Sequence, residues 1–198
     1  MKATSLLTGW TCRHLGDTAP GKPVTLPHDA MLAEPRTALS AGGTNTGWYE
    51  GYDYEYRRTL TVPENELADT HILEFEGVYH NAEVWLNGQK AAFRPYGYTN
   101  FYVDCAPYLH SGENDLRVIA RNADQPNSRW YSGAGIYRPV QLWTARGAYI
   151  ALNGVKIRTL SLQPAVVEVR VKTTAPGTVR LTMDDLPAMQ QESDGEAV

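Results

Sequence analysis

The sequence predicts an all-β fold, with an antiparallel jelly-roll β-sandwich followed by the first strands of a second β-sandwich. Short segments of alternating apolar and polar residues recur between residues 54 and 121, and turns rich in Gly, Pro and Asn separate them. The composition, with 12 Tyr, 5 Trp and 17 Gly in 198 residues, is typical of strands and tight turns. No sustained helical periodicity precedes residue 146, which leaves strands as the main elements.

The clearest strand begins at Tyr54. Aromatic and aliphatic side chains dominate one face as far as Val62, and Glu, Arg and Thr occupy the other, which predicts a half-buried strand. Further strands are predicted at residues 71–75, 81–86, 102–104, 116–121 and 140–143. Asn87-Gly88 predicts a type I′ hairpin turn with a return strand from Ala91. Residues 1–46, in contrast, contain scattered Gly, Pro and Thr and are predicted to be irregular.

A second group of predicted strands follows Trp143. Strands are predicted at residues 155–159, 166–171 and 179–181, as the start of a second sandwich. About fifty residues cannot complete it, because such a domain needs on the order of 100 residues. The last stretch is acidic and shows no period, which predicts disorder. We therefore expect a jelly-roll domain over 1–146, a truncated sandwich over 147–183 and a disordered acidic tail over 184–198.

Charge and cysteine content exclude several classes of protein. The net charge is −4 and no dense Lys/Arg stripe exists, which argues against a nucleic-acid partner. The 2 cysteines imply no disulfide framework, and no apolar run is long enough to span a membrane. The first residues lack the pattern of a signal peptide, so a cytoplasmic location is expected. The 5 His are scattered without metal-ligand spacing, and neither a metal nor a cofactor is predicted.

The stretch from Asn127 to Val140 carries the strongest functional signal. Arg129 is followed by two amphipathic rings, Trp130 and Tyr131, and then by two closely spaced glycines. Aromatic rings with polar tips suit flat, hydroxyl-rich ligands such as sugars. The alternative interpretation is a packed β-corner with a cation–π contact between the guanidinium and a ring.

His28 and Asp29 form an adjacent pair that suggests acid–base chemistry. Neighbouring side chains usually point apart and no nucleophile accompanies them. A structural turn, in which Asp29 caps local backbone, is the favoured interpretation.

Seven short motifs occur in an order that resembles the N-terminal sugar-binding domain of glycoside hydrolase family 2, which contains β-galactosidases, β-glucuronidases and β-mannosidases. The motifs are Leu26-Pro27-His28-Asp29, Asp53-Tyr54-Glu55-Tyr56-Arg57-Arg58, Phe75-Glu76-Gly77-Val78, Val84-Trp85-Leu86-Asn87-Gly88, Tyr96-Gly97-Tyr98-Thr99-Asn100-Phe101, Gly112-Glu113-Asn114 and Ser128-Arg129-Trp130-Tyr131-Ser132-Gly133-Ala134-Gly135-Ile136-Tyr137-Arg138. The resemblance covers roughly residues 5–146 and implies a galactose-binding-domain-like jelly roll. Residues 147–183 resemble the start of the family's immunoglobulin-like domain. Within the family, the chain looks most like bacterial β-galactosidases.

The resemblance implies that the chemistry lies outside this stretch of chain. Family 2 enzymes hydrolyse glycosides with retention, using two glutamates in a (β/α)₈ barrel that follows the second β-domain. Nothing after residue 183 resembles that barrel. The fragment is therefore expected to have no catalytic residue and no activity of its own, while its parent protein is expected to be a glycosidase.

The family's jelly roll packs on the barrel and lends loops to the rim of the substrate pocket. Three loops here match, and the substrate-binding residues that the resemblance implies are Asn45 and Tyr49 in the first loop, Tyr98 in the second, and Asp124, Arg129 and Trp130 in the third. Ser128 stands near a position that is often acidic in the family's β-galactosidases, and Asp124 is the nearest substitute. Interdomain packing is the alternative role for all three loops.

Three functions follow from these expectations. The first is the non-catalytic part of a family 2 β-glycosidase, with the catalytic barrel and a β-galactoside or β-glucuronide as partners. The second is a free-standing carbohydrate-binding module. The third is a structural domain that builds a homo-oligomer, with neither nucleic acid nor membrane as a partner.

Overall fold

The computed structural model describes residues 1–184 and 186–197. The chain forms two compact units, one spanning Ala3–Thr144 and the other combining Met1–Lys2 with Ala145–Val198. The predicted domain boundary at residue 146 lies shortly after this division.

Ten strands belong largely to the first unit. They are β1 (Lys2–Ser5), β2 (Trp10–His14), β3 (Lys22–Val24), β4 (Asp53–Val62), β5 (Thr70–Phe75), β6 (Ala82–Leu86), β7 (Gln89–Arg94), β8 (Phe101–Asp104), β9 (Gly112–Arg121) and β10 (Val140–Ala145). Helical structure in the described part of the chain consists of short 3₁₀ turns, at Ala30–Ala33, Gly43–Thr46, Glu64–Glu66 and Ala106–Tyr108. Over the same residues, no helix is long and apolar enough to cross a membrane.

The ten strands form two sheets that enclose one core. The larger sheet has the order β3-β2-β4-β9-β6-β7, and the smaller has the order β1-β10-β5-β8. Side chains from both sheets, such as Tyr56 and Leu116 from the larger and Leu73 and Phe75 from the smaller, share one buried cluster. The predicted all-β antiparallel sandwich is confirmed, because apolar residues at alternate positions bury one face of each sheet.

Strand β4 lies at the centre of the larger sheet. It pairs antiparallel with β9 over its whole length, from Asp53 opposite Arg121 to Val62 opposite Gly112. The predicted alternation is present, although Glu55 on the outward face is also buried, at 3% exposure. The side chains of Arg13 on β2, Arg117 on β9 and Arg57 on β4 itself form ion pairs with it.

The Asn87-Gly88 turn is confirmed in detail. Leu86 lies opposite Gln89, so the two residues between them form the whole loop. Asn87 has φ 49° and Gly88 has φ 78°, which is the pair of positive values that a type I′ turn requires.

The prediction that residues 1–46 are irregular is wrong for three short strands. Strand β2 places Trp10 and Cys12 in the core and pairs with β4, with Thr11 opposite Arg57. Its neighbours in sequence are rich in Gly, Pro and Thr, which led to the prediction of irregular structure. The strand pairs with β4, and the paired residues Thr11 and Arg57 are more than forty positions apart in sequence.

The described residues of the second unit form five strands. They are β11 (Ile150–Leu162), β12 (Ala165–Thr173), β13 (Gly177–Leu181), β14 (Met189–Ser193) and β15 (Glu196–Ala197), arranged as a β11-β12-β15 sheet and a β13-β14 hairpin. Alternate residues of β11 and β12 are apolar on one face and charged on the other, with Ile157 opposite Val169 and Arg158 opposite Glu168.

The structure differs from the prediction of a disordered tail over 184–198. Seven of its thirteen described residues lie in β14 and β15, and Asp185 and Val198 lie outside the described residues. The strands are polar because both sides are largely exposed, so no apolar period is needed. Cross-strand partners hold them instead, and Thr178 Oγ1 donates to Glu192 Oε1 at 2.7 Å.

Candidate functional site

The connection between β9 and β10, residues 122–138, is the centre of the candidate site; we call it the 122–138 segment. One of its tyrosines, Tyr131, contacts the ring of Tyr49 from the first predicted loop. Another, Tyr137, contacts Tyr98 from the second predicted loop and donates a hydrogen bond to Gly97 O at 2.7 Å. The segment therefore brings together all three loops that the sequence singled out.

The start of the segment is fixed to the larger sheet. Asp53 Oδ1 accepts hydrogen bonds from the backbone amides of Asn122 and Ala123, at 3.0 and 3.1 Å. The Asn122 side chain is completely buried, and its Nδ2 donates to Gly133 O at 3.3 Å. The buried side-chain amide of Asn122 thus links the start of the segment to Gly133 near its other end.

Asn127 holds the middle of the segment against the Tyr79-His80 turn. Its Nδ2 donates to Asn122 Oδ1 and to Asp124 O, both at 2.8 Å. The same nitrogen lies 3.1 Å from His80 Nε2, while Tyr79 Oη donates to Asn127 Oδ1 at 3.2 Å. Burial lowers the pKa of His80 more than the nearby Asp53 and Asp124 raise it, so its imidazole is neutral near pH 7.

Asp29 fixes the far end of the segment. Its Oδ1 accepts from the backbone amide of Met31 at 3.1 Å, which confirms the predicted local cap. The same oxygen accepts from the Ala134 amide at 3.0 Å, and Oδ2 accepts from Tyr131 Oη at 2.7 Å. Asp29 therefore caps a local 3₁₀ turn and also clamps a loop about a hundred residues further along the chain.

His28 does not form an acid–base pair with Asp29. Its Nδ1 lies 2.8 Å from Tyr56 Oη, and its backbone amide donates to Ile136 O at 2.9 Å. Burial lowers the pKa of His28, and the negative charge of Asp29 opposes this only in part. The structural interpretation of the Leu26–Ala30 stretch therefore describes the geometry better than acid–base chemistry does.

Gly135 occupies a position that only glycine fits. Its backbone exchanges two hydrogen bonds with Tyr79, at 2.8 and 3.0 Å. It has φ +101°, and a Cβ added there would lie 2.0 Å from the buried Tyr56 Oη. The close approach of the segment to the core depends on this missing side chain.

Two groups of tyrosines lie around the segment. Tyr49 and Tyr131 have ring centroids 6.0 Å apart, and the Arg36 guanidinium lies 5.6 Å from the Tyr49 ring. In the other group, Tyr98 is 5.2 Å from Tyr79 and 6.4 Å from Tyr137. Burial raises the pKa of Tyr98 and of Tyr131, so both phenols stay protonated at neutral pH. Tyr131 donates its hydroxyl proton to Asp29, so Tyr98 is the one of the two that can donate to a ligand.

Trp130 is the most exposed aromatic residue of the segment. It is 70% exposed, and the Arg129 guanidinium lies 4.9 Å from its ring centroid. Its backbone amide donates to Ser128 Oγ at 3.3 Å. The cation–π contact of the alternative interpretation is formed, but the corner is not packed, because the indole remains open to solvent.

The two remaining predicted residues, Asn45 and Asp124, are described by backbone hydrogen bonds. Asn45 lies half-buried in the Gly43–Thr46 turn, where its backbone amide donates to Gly42 O at 3.0 Å. Asp124 is exposed and contributes its carbonyl oxygen to Asn127. Asp29, Tyr79 and Asn127 also hold the site together, and the sequence pattern predicts no such role for them. Asp29 and Asn127 belong to motifs with a functional signal, but local pattern does not reveal their contacts with the loops.

No group of three or more His, Cys, Asp or Glu side chains within residues 1–184 and 186–197 is arranged to hold a metal ion. The side chains around the segment are aromatic rings, amides, the guanidinium groups of Arg36 and Arg129, the His80 imidazole and the carboxylates of Asp29 and Asp124. Aromatic rings with polar tips are a residue type that suits hydroxyl-rich ligands.

A family model and several known proteins match the part of the chain that contains this fold and the 122–138 segment. The family model described as glycosyl hydrolase 2 galactose-binding domain-like matches residues 10–139. The β-galactosidase BoGH2A of Bacteroides ovatus is 37% identical over 172 residues, which cover 81% of this chain and 20% of that protein. A putative β-glucuronidase of Formosa agariphila is 34% identical over 140 residues, which cover 71% of this chain and 14% of that protein. The chain thus spans a fifth or less of the length of these two curated relatives.

Solved structures agree with the sequence comparisons. A β-glycosidase from Bacteroides vulgatus superposes with a TM-score of 0.77 at 29% identity, over 87% of this chain and 24% of that one. A glycosyl hydrolase family 2 member from Bacteroides cellulosilyticus has a TM-score of 0.79 over 100% of this chain and 31% of that one, and at 24% identity it supports the fold alone. The matched model spans all six strands of the larger sheet, β5 and β8 of the smaller sheet and the whole 122–138 segment. The chain therefore belongs to the glycosyl hydrolase family 2 galactose-binding domain-like family.

Proposed function

We propose that the chain is the galactose-binding-domain-like part of a family 2 β-glycosidase, and that its 122–138 segment forms part of the carbohydrate-binding surface. The observation that carries the proposal is the exposed Trp130, paired with Arg129 on a segment that also contacts the Tyr49 and Tyr98 loops. An exposed indole on an otherwise anchored loop is a suitable platform for a pyranose ring.

The surrounding groups suit the polar rim of such a platform. Tyr98 offers a protonated hydroxyl, and the Arg129 guanidinium offers several N–H donors beside the indole. In this proposal Trp130 stacks on the sugar face, and Arg129, Tyr98, Tyr49, Asn45 and Asp124 bind or flank its hydroxyls. Of these roles, those of Asn45 and Asp124 rest on the resemblance to the family more than on side-chain contacts.

The reaction we propose for the intact protein is retaining hydrolysis of a β-glycoside by two carboxylates in a separate catalytic domain. The described residues contain strands and 3₁₀ turns, with no (β/α)₈ barrel among them. The names of the relatives support a β-galactoside as substrate, with a β-glucuronide as the alternative. The part described here would support that domain and shape its substrate pocket.

Substitution of Trp130 by Ala in the intact protein tests the proposal. We expect KM for an aryl β-galactoside or β-glucuronide to rise about tenfold, because the stacking partner is lost while the reacting groups are unchanged. Phe93→Ala is the matched control, since Phe93 is 54% exposed on β7, outside the three loops. Equal KM values for the Trp130 variant, the control and the parent would contradict the proposal.

A free-standing carbohydrate-binding module is the second candidate. It is favoured by the same 70% exposure of Trp130, which is available without any other domain. Titration calorimetry of the isolated chain with galactose, glucuronate and oligosaccharides separates the two. Binding that disappears in Trp130→Ala supports the module, whereas absence of heat supports a pocket completed by the catalytic domain.

The remaining predictions concern assembly and location. A homo-oligomer is testable by light scattering of the chain and of the intact protein, and a monomer in both cases would contradict it. A cytoplasmic location stays a prediction that cell fractionation tests.

A further inference from the structure

A cleft of about 250 Å³ lies between β2, β3, β4 and the Ala30–Ala33 turn. None of the six predicted sugar-binding residues lines it. Its walls include the small apolar side chains of Val24, Ala30 and Ala33, and the Cys12 thiol adds to them. Burial raises the pKa of Cys12 to about 11, so this thiol is neutral and acts as apolar surface.

A nearly buried carboxylate faces this cleft. Glu34 Oε1 lies 2.7 Å from His14 Nε2 and accepts from Tyr54 Oη at 3.4 Å. Both hydrogen bonds described for this side chain end on Oε1, which leaves Oε2 to accept from a ligand. The His14 ring stacks on Tyr52 with centroids 4.3 Å apart, and this contact fixes the position of the carboxylate.

A second polar group of the cleft is the His28 imidazole. Tyr56 Oη engages its Nδ1 at 2.8 Å, so Nε2 is the ring nitrogen that remains for a ligand. Burial lowers the pKa of His28, which keeps the ring neutral near pH 7. A neutral imidazole nitrogen pairs with a hydroxyl as donor or acceptor.

The charges around the cleft disfavour an ionic ligand. Glu34 and Asp17 oppose an anion, while the exposed Lys22 and the half-buried Arg13, which also line the cleft, oppose a cation. The charge of Arg13 is offset by its ion pair with Glu55. The volume is at the small end of the range for ligand pockets, which suits one ring rather than an oligosaccharide. We propose that this cleft binds a neutral polyhydroxyl ligand of monosaccharide size, with separate hydroxyls bound to Glu34 Oε2 and His28 Nε2.

This site is independent of the proposed function, because it shares no lining residue with the three loops. The test is a titration of the ¹⁵N-labelled chain followed by amide chemical shifts. The probes are galactose and glucose, with ethanolamine as a cationic control and glucuronate as an anionic one. We expect galactose or glucose to shift the amides of His14, Glu34 and Tyr54, with a Kd on the order of 1 mM.

Glu34→Gln should weaken this binding about tenfold, because the charged acceptor becomes neutral while its shape is kept. Ala33→Leu should abolish binding by filling the cleft without altering the polar groups. It provides a second test of the cleft if Glu34→Gln does not fold. Trp130→Ala should leave the cleft shifts unchanged. Thermal melts of each variant verify that it is folded.

Four results would overturn the proposal. The first is that the amide shifts are confined to the 122–138 segment and are lost in Trp130→Ala. The second is that ethanolamine or glucuronate binds more tightly than either neutral sugar, and the third is that both cleft variants bind the sugars with unchanged affinity. The fourth is that neither sugar shifts any amide. The first of these would leave the proposed function standing, while cleft binding without any effect of Trp130→Ala on KM would contradict the proposed function alone.

Discussion

Asp29 is the residue on which the geometry of the candidate site depends most directly. It supplies acceptors to two backbone amides and to the Tyr131 hydroxyl, and all three donors belong to turns that carry no regular sheet pairing. A buried or half-buried amide that loses its acceptor costs more than the hydrogen bond contributed. The carboxylate therefore determines where the tyrosine, and with it the exposed end of the segment, is held.

Replacing Asp29 by Ala should lower the free energy of unfolding by about 2 kcal/mol, since two amides lose their acceptor. It should also speed hydrogen exchange at the Ala134 amide. Asp104→Ala is the matched control, because Asp104 Oδ1 accepts from one amide, that of Ala106, at 3.1 Å. The control should cost about 1 kcal/mol and leave exchange at Ala134 unchanged. Equal exchange at Ala134 in both variants would show that Asp29 is only a local cap.

At the scale of elements, the outward face of the larger sheet is held by a carboxylate shared among three strands. Glu55 on β4 forms ion pairs with Arg13 on β2, with Arg57 on its own strand and with Arg117 on β9. Burial alone would raise the pKa of Glu55, but the three guanidinium groups outweigh it and hold that pKa below its ordinary value. The charge thus links β2, β4 and β9 across the sheet.

This arrangement predicts a specific loss of stability in acid. A carboxylate whose pKa is lower in the folded state contributes stability above its unfolded pKa of about 4.3, and that contribution is lost as pH falls through the folded pKa. Urea unfolding of the parent and of Glu55→Gln should show a difference of about 2 kcal/mol at pH 7 that shrinks towards about pH 3. Glu113→Gln, an exposed position at the start of β9, should differ little from the parent at either pH. A constant difference across this range would contradict the prediction.

Local pattern predicted the strands from Tyr54 onward because their alternation buries one face, as at Leu60 and Val118. It did not predict β2, because the five residues of β2 form a strand by pairing with the distant β4. The candidate loops were found by residue type and family resemblance, but their convergence was not. The Asp29–Tyr131 contact joins residues 102 positions apart, and no local signal encodes such a pairing.

At the scale of the whole chain, the two units differ in how far they complete a core. Every residue of the main buried cluster lies between Leu6 and Val140, within the larger unit. In the smaller unit, Ile157 is 71% exposed and Leu162 is 81% exposed, while Val171 is buried. An apolar sheet face that stays open contributes little burial energy, so the stability of the chain should reside in the larger unit.

A chain ending at residue 146 tests this distribution. It retains β1 to β10 and the whole buried cluster, so its urea midpoint should equal that of the main transition of the full chain. The full chain should show an additional transition at lower urea, when followed by hydrogen exchange of the β11 and β12 amides, because the smaller unit buries less apolar surface. Reciprocal truncation to residues 147–198 should give a fragment with little protection from exchange. The contradicting result has two parts: the full chain unfolds in a single transition, and the 1–146 fragment unfolds at a much lower urea concentration than the full chain. The larger unit would then depend on the smaller one for its stability.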